Sequence, residues 1–152
     1  LFLQFYKDSL PQPVWVSDST YRPYPSQGNP AVVAGKLRSI PGIARGLPER
    51  LDSLVSRRED SHALTIPSVA QLVTKAARAA LAATPRATPG GPRPPGMFTL
   101  SRIAYSEDGK QALLYYQWGL CGGRCASESA VFLVRQPDGV WRVQTVVGIG
   151  SA

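Results

Sequence analysis

Three turn signals divide residues 98–149 into four apolar runs, and this pattern constrains the fold more than any other feature of the sequence. The turns are Glu107–Lys110, Cys121–Cys125 and Pro137–Gly139, with the sequences EDGK, CGGRC and PDG. An Asp-Gly pair between alternating apolar runs indicates a hairpin, because glycine accepts the positive φ that a tight turn needs. The pattern predicts a four-stranded antiparallel β-meander.

Two of the four runs also predict how their faces are used. The run Leu113–Trp118 carries large groups on both faces, which favours a central strand covered on both sides. The last run alternates, which predicts that one face of this strand is apolar and the other is more polar. The first of these faces is expected to carry Trp141, Val143, Thr145 and Val147, and the second Arg142 and Gln144.

Upstream of the predicted sheet, the periodicity favours helices. Leu47–Glu59 has an amphipathic pattern with proline in its first turn, and Ile66–Ala83 is rich in alanine, which has the highest helix propensity. Leu1–Leu10 has apolar residues at helical spacing and predicts the end of a helix that Pro11 stops. Val14–Val16 predicts a short strand.

Proline and glycine are concentrated in two long segments. The chain has 14 of each, so 28 of its 152 residues are Gly or Pro, above the usual share of about 12%. Residues 21–46 and 84–96 are expected to lie on the surface. The first segment is either a partner-binding segment or a flexible loop, and the second is an extended connector for which binding to a partner is the alternative. The residues that we single out as partner contacts are Tyr21, Tyr24, Ile40, Ile43, Pro92, Pro94 and Pro95.

These patterns together predict one α+β domain over residues 1–152. Residues 1–96 supply helices, a short strand and the proline-rich connectors, and residues 97–152 supply the sheet. No run of about 18 apolar residues is present, so we predict no transmembrane segment in this chain. Because the chain opens in the middle of a pattern at Leu1, we expect that residues precede it, and a signal peptide or membrane anchor could be among them.

The positive charge lies mainly outside the predicted sheet. The net charge of +7 divides into +6 before Met97 (12 Lys and Arg, 6 Asp and Glu) and +1 from Met97 onward (5 and 4). The basic side chains proposed as a surface are Arg45, Arg50, Arg57 and Arg58. If this surface binds acidic lipid or polymer, binding weakens steeply with salt. We do not expect nucleic acid as a partner, because core packing accounts for the sheet aromatics.

Cys121 and Cys125 flank a Gly-Gly pair, and three states are open to them. Their Cβ atoms can approach to disulfide distance across the turn, which would rigidify the hairpin and indicate an oxidising compartment. Two free thiols, or a metal or redox site, are the alternatives. Zinc requires about four ligands, and His62, the only histidine, is distant in sequence. We therefore expect no metal and no cofactor.

Four short motifs mark the last third of the chain: LSRIAYS at 100–106, ALLYY at 112–116, CGGRC at 121–125 and GVWRV at 139–143. Together they resemble an uncharacterised bacterial domain that is common in exported or lipid-anchored proteins. Ala104 and Tyr105 stand where that domain usually has Gly and Phe. The resemblance implies an extracytoplasmic setting and carries over no catalytic residue.

No catalytic constellation is present in the sequence. His62 lies in the polar stretch Asp60–Ala63, where an exposed loop histidine is the simpler interpretation than a catalytic triad. The sequence thus favours a non-enzymatic, periplasmic or otherwise extracytoplasmic accessory subunit that binds another protein or a membrane-associated assembly. The alternatives are an enzyme whose site escapes sequence reading, and an electrostatic binder of anionic polymer or lipid head groups.

Overall fold

The structure, a computed structural model, describes residues 14–17, 30–56, 70–74, 76–77, 97–119 and 126–151. Two α-helices lie in this part of the chain, α1 (Pro30–Arg38) and α2 (Leu47–Ser56). The strands are β1 (Val14–Ser17), β2 (Ala70–Val73), β3 (Met97–Leu100), β4 (Ala104–Tyr105), β5 (Gln111–Gly119), β6 (Ala126–Arg135) and β7 (Trp141–Ser151). The predicted α+β class is confirmed.

All of these strands belong to one sheet with the order β2-β1-β3-β5-β6-β7, and β4 pairs with β5 beside β3. β1 is parallel to both β2 and β3. The remaining pairs are antiparallel. The sheet is therefore larger than the predicted one, because two parallel strands extend it. The run that begins at Phe98 also forms two short strands, β3 and β4, rather than one.

The two Asp-Gly turns have the conformation that their sequences predict. Gly109 has a φ of 66° and Gly139 a φ of 81°, in the region that glycine adopts without steric cost. The Gly109 N–H donates to the Ser106 carbonyl at 3.0 Å, and the Gly139 N–H donates to the Gln136 carbonyl at 2.9 Å. These bonds close the β4–β5 and β6–β7 hairpins and fix the register of the strands they join.

One face of the sheet is covered by the two helices, and we call it the helix-side face. Leu51 of α2 and Leu37 of α1 are 0% and 1% exposed, and they belong to one buried cluster with Phe132 of β6. α2 packs on β4 and β5, and α1 packs on β7. Apolar residues at helical spacing in α2, Leu47, Leu51 and Leu54, make this contact possible.

The opposite face carries a second apolar cluster. Its buried members are Val16, Phe98, Ala112, Leu114, Tyr116, Val131 and Leu133. Successive residues of β5 alternate between the two clusters: Leu113 and Tyr115 face the helices, and Leu114 and Tyr116 face away. This alternation explains why both faces of the run 113–118 are apolar.

The link between α1 and α2 is tied to the sheet by one side chain. The Ala44 N–H donates to Gln111 Oε1 at 2.6 Å, and Gln111 Nε2 donates to the Gly42 carbonyl at 2.8 Å. Ile40 is buried in the helix-side cluster, and Ile43 packs partly buried against it. Contacts within the domain therefore offset the entropy cost of ordering this part of the chain.

Two predictions of local structure are corrected. Residues 30–38, predicted as part of a long surface loop, form α1, which begins at a proline suited to the first helical turn. Ala70–Val73, predicted within a helix, is strand β2 and pairs residue by residue with Val14–Ser17. In both places the tertiary partner, a sheet face or a parallel strand, overrides local propensity.

The faces predicted for the last strand are also corrected. Between Phe132 and Leu133 the register with β7 shifts, so that Val143 pairs with Leu133 and Thr145 with Phe132. The extra residue, Gln144, inverts the alternation after it. Trp141 and Val143 therefore lie on the face opposite the helices, whereas Thr145 and Val147 lie on the helix-side face.

The other sequence-based assignments divide into two groups. The strand predicted at Val14–Val16 and the helix predicted from Leu47 are confirmed as β1 and α2. The helix end at residues 1–10 and the extended connector at residues 84–96 lie outside the described residues, so both stay predictions.

Candidate interaction surface

Most of the side chains proposed from the sequence as contact or site residues lie outside the described part of the chain. These are Tyr21, Tyr24, Arg57, Arg58, Pro92, Pro94, Pro95, Cys121 and Cys125. The partner contacts, the basic surface at these two arginines and the disulfide therefore stay predictions.

The two isoleucines proposed as partner contacts face inward. Ile40 is 6% exposed and belongs to the helix-side cluster, and Ile43 is half-buried against the same cluster. Ile40 thus offers a partner almost no accessible surface in this conformation.

The two described arginines of the proposed basic surface differ from each other. Arg45 is exposed in the link between the helices. Arg50, on α2, forms an ion pair with Glu107 in the β4–β5 turn. An exposed pair of this kind contributes roughly 0–1 kcal/mol, and its main effect is to neutralise Arg50. No concentrated basic site forms from these two side chains.

Two aromatic rings meet at one end of the sheet, and other exposed apolar side chains are close to them in sequence. Among the described residues, the exposed large hydrophobic side chains are Val32 (54%), Ile103 (41%), Tyr105 (50%) and Val140 (43%). The Tyr105 ring contacts the half-buried Trp141 ring, with centroids 5.8 Å apart and the planes at 60°. Ile103 and Val140 each lie within two residues of this pair in sequence. We call Ile103, Tyr105, Val140 and Trp141 the aromatic patch.

The strand register places the two rings on the same face at this end of the sheet. Tyr105 pairs with Ala112 on β5, and Trp141 pairs with Arg135 on β6. Paired residues share a face of a sheet, so Tyr105 lies on the face of Ala112, opposite the helices.

Arg135 adds a cation beside these rings. It shares the face of Trp141 by strand pairing, is exposed, and its Nε donates to the Gly139 carbonyl at 3.3 Å. That hydrogen bond holds the guanidinium over the β6–β7 turn. The surface therefore presents tyrosine, tryptophan and arginine together.

Sequence reasoning missed this surface, because Tyr105 and Trp141 are 36 positions apart and only the register joins them. Tyr105 also differs sharply in burial from the residue before it. Its neighbour Ala104 is fully buried under α2, while Tyr105 is exposed.

A polar row crosses the helix-side face at the other end of the sheet. Thr99, Gln117, Glu128 and Gly150 are successive register partners on β3, β5, β6 and β7. The Glu128 carboxyl is half-buried and forms no hydrogen bond or ion pair with another residue that the structure describes. Desolvation raises the pKa of this carboxyl above its ordinary value.

The raised pKa of Glu128 predicts a pH dependence of stability. The folded state binds the proton more tightly than the unfolded state, so the carboxyl favours folding below its unfolded pKa. That contribution is lost as pH rises through the folded pKa. We expect the stability of Glu128→Gln relative to the wild-type protein to increase from pH 4 to pH 7, because only the wild-type protein loses this contribution. Urea denaturation at both pH values measures the difference.

Asp108→Asn is the matched control, because its effect has the opposite sign. Asp108 Oδ1 accepts hydrogen bonds from Ser106 Oγ at 2.6 Å and from the Lys110 N–H at 3.0 Å. These bonds lower the pKa of the Asp108 carboxyl. Its contribution is present above the unfolded pKa and is lost as pH falls. If the stabilities of the two variants, each relative to wild type, change in the same direction with pH, at least one of the two pKa assignments is wrong.

The described residues form no candidate metal site, and the chain matches no known protein. The described residues contain no group of three or more His, Cys, Asp or Glu side chains that could hold a metal ion. Neither described helix has the length and apolar character needed to cross a bilayer. No protein-family model, curated protein or solved structure matches the chain.

Proposed function

We propose that the protein is a non-enzymatic, extracytoplasmic accessory subunit that binds another protein, alone or within a membrane-associated assembly, through the aromatic patch. One observation carries this proposal: the exposed Tyr105 ring rests against Trp141, with Arg135 beside them. Tyrosine, tryptophan and arginine are the residue types that contribute most to binding energy at protein interfaces.

The exposure of these side chains supports a partner rather than a packing role. Tyr105 is 50% exposed, Val140 43% and Ile103 41%, so each still has apolar area to lose from water. Burial of apolar area stabilises a complex by roughly 25 cal/mol per Å² before the costs of association. Single exposed hydrophobic residues are ordinary, but here the Tyr105 ring is in contact with a second aromatic ring, that of Trp141.

The extracytoplasmic part of the proposal rests on the sequence. The motifs at 100–106, 112–116, 121–125 and 139–143 resemble a domain common in exported or lipid-anchored proteins. Cys121 and Cys125 suit a disulfide of an oxidising compartment. Free-thiol labelling of unfolded, unreduced protein addresses this part directly, since two labelled thiols would count against export.

The test of the proposed function compares two variants purified from the native host with a mild detergent. The double variant Tyr105→Ala with Trp141→Ala should lose a stoichiometric partner that the wild-type protein retains. Truncating two central contacts of this kind lowers affinity by about 30-fold or more. Val32→Ala, which removes an exposed apolar side chain outside the patch, should retain the partner. Quantitative mass spectrometry of the eluates gives the stoichiometry.

Two results would count against this function. If the double variant retains the same partner and has an unchanged circular dichroism spectrum, the aromatic patch is not the binding surface. Release of all bound material by moderate salt from wild type and double variant alike would favour the electrostatic alternative, since screening acts on charges and not on apolar contacts.

A further inference from the structure

The strand that carries Trp141 is also the outermost strand of the sheet. β7 is 11 residues long and pairs with β6 on one side. None of the described strands pairs with its other side. An unpaired strand edge presents free N–H and C=O groups to which a strand of another chain can bond.

The hydrogen bonds of the β6–β7 hairpin show which groups of β7 point outward. The Gln136 N–H donates to the Val140 carbonyl at 2.8 Å, whereas the Arg135 N–H donates to Lys110 on the β5 side at 2.7 Å. Backbone groups alternate along a strand, so those of Trp141 and Val143 point away from β6. Further along, Lys36 of α1 donates to the Gly148 carbonyl at 3.1 Å and covers that end. The open edge is therefore the stretch 141–147.

Three cations flank this open edge. Arg142 is exposed on the helix-side face, Arg135 is exposed on the opposite face, and Lys36 lies at the far end. None of them forms an ion pair with a carboxylate in the part of the chain that the structure describes. The nearest acidic residue of the hairpin, Asp138, has its Oδ1 bonded to the Val140 N–H at 2.9 Å. The Asp138 carboxylate keeps its charge, so the edge has an excess of positive over negative charge, with Arg142 on one face and Arg135 on the other.

We propose that the open edge of β7 binds an extended, acidic segment of the protein partner as an additional strand of the sheet. This inference rests on the proposed function and specifies its binding mode. Acidic side chains of the segment would reach Arg142 on the helix-side face. An apolar side chain next to them would lie on the aromatic patch, beside Trp141.

The same features argue against a second copy of this chain as the occupant. Two β7 edges would bring like charges at Arg142 and Arg135 together, which is unfavourable. The bulge at Gln144 also interrupts a long regular pairing. A short acidic segment avoids the repulsion and needs only the few residues next to the patch.

The test uses three capped nine-residue peptides that share an alternating valine and phenylalanine pattern and carry glutamate, glutamine or lysine at the other positions. We expect the glutamate peptide to bind at least about tenfold more tightly than the glutamine peptide at low salt, by fluorescence anisotropy. It should also slow amide exchange of Val143, whose N–H points outward. Arg142→Gln should weaken binding of this peptide by about fivefold. Arg50→Gln, which removes a cation that is paired with Glu107 at the β4–β5 turn, should not.

Each possible failure has a distinct meaning. Equal binding of the three peptides, or no binding, overturns the proposal. Tight binding of the glutamate peptide without slower exchange at Val143 also overturns strand addition and leaves the proposed function standing. If the peptide also slows exchange at Val143 in the Tyr105→Ala and Trp141→Ala double variant, strand addition at the edge is supported. The binding role proposed for the aromatic patch is then contradicted. Val143→Pro, which removes an outward N–H and leaves the bonds to β6 in place, should abolish peptide binding in a folded protein.

Discussion

Phe132→Ala is expected to lower the free energy of unfolding by about 3–5 kcal/mol. Phe132 is 1% exposed on β6 and belongs to the cluster that joins both helices to the sheet. Removing its ring leaves a cavity between rigid layers, because strand pairing on both sides of β6 prevents the sheet from closing around the space. Urea denaturation followed by far-ultraviolet circular dichroism measures the change.

Val32→Ala supplies the control for this measurement. Val32 is on α1 but is 54% exposed, so its truncation should change stability by less than about 0.5 kcal/mol. If Phe132→Ala also lowers the free energy of unfolding by less than about 1 kcal/mol, that result would contradict the packing of the helices on this face of the sheet.

Ser101→Ala is expected to cost about 1–3 kcal/mol, although only one oxygen atom is removed. Ser101 is 2% exposed. Its Oγ accepts the Tyr115 N–H at 2.8 Å and donates to the Arg102 carbonyl at 2.7 Å. The Ser101 N–H in turn donates to the Tyr115 carbonyl at 2.9 Å. The hydroxyl therefore takes the place of a ladder bond where β3 has ended and β4 has not begun.

The cost arises because alanine leaves the Tyr115 N–H buried without a partner. The matched control is Ser127→Ala, which truncates an exposed serine on β6 and should change stability by less than about 0.5 kcal/mol. Amide exchange at Tyr115 gives an independent readout, since the freed N–H should exchange faster in Ser101→Ala. Equal urea midpoints for the two variants would show that the Ser101 hydroxyl does not replace the ladder bond.

The parts of the fold that were predictable are those set by local chemistry. The two Asp-Gly turns require glycine at Gly109 and Gly139, and α2 has both a proline start and an apolar stripe. β2 was not predictable in this way, because an alanine-containing stretch becomes a strand only when β1 supplies its hydrogen bonds. Likewise α1 contains a glycine and borders a proline-rich stretch, and it is stabilised by burial of Leu37 on the sheet.

The candidate surface was less predictable than the fold. Both aromatic rings belong to strands that the sequence predicted, yet their contact depends on the pairing of Tyr105 with Ala112 and of Trp141 with Arg135. The bulge at Gln144 also moved Thr145 and Val147 away from the face of Trp141. A single extra residue in a ladder cannot be read from alternation alone.

The position of β1 between two parallel strands has a consequence for synthesis of the chain. β1 is made early, but its partners are β2 at Ala70–Val73 and β3 at Met97–Leu100. At roughly 5–20 residues per second, the ribosome needs several seconds to proceed from Val16 to Phe98. The strand has neither neighbour until Ala70–Val73 is made, and it lacks β3 until Met97–Leu100 follows. The local hairpins of β5, β6 and β7 come later still. The nascent chain therefore depends on its last third to cover its beginning, and truncated products should be the aggregation-prone species.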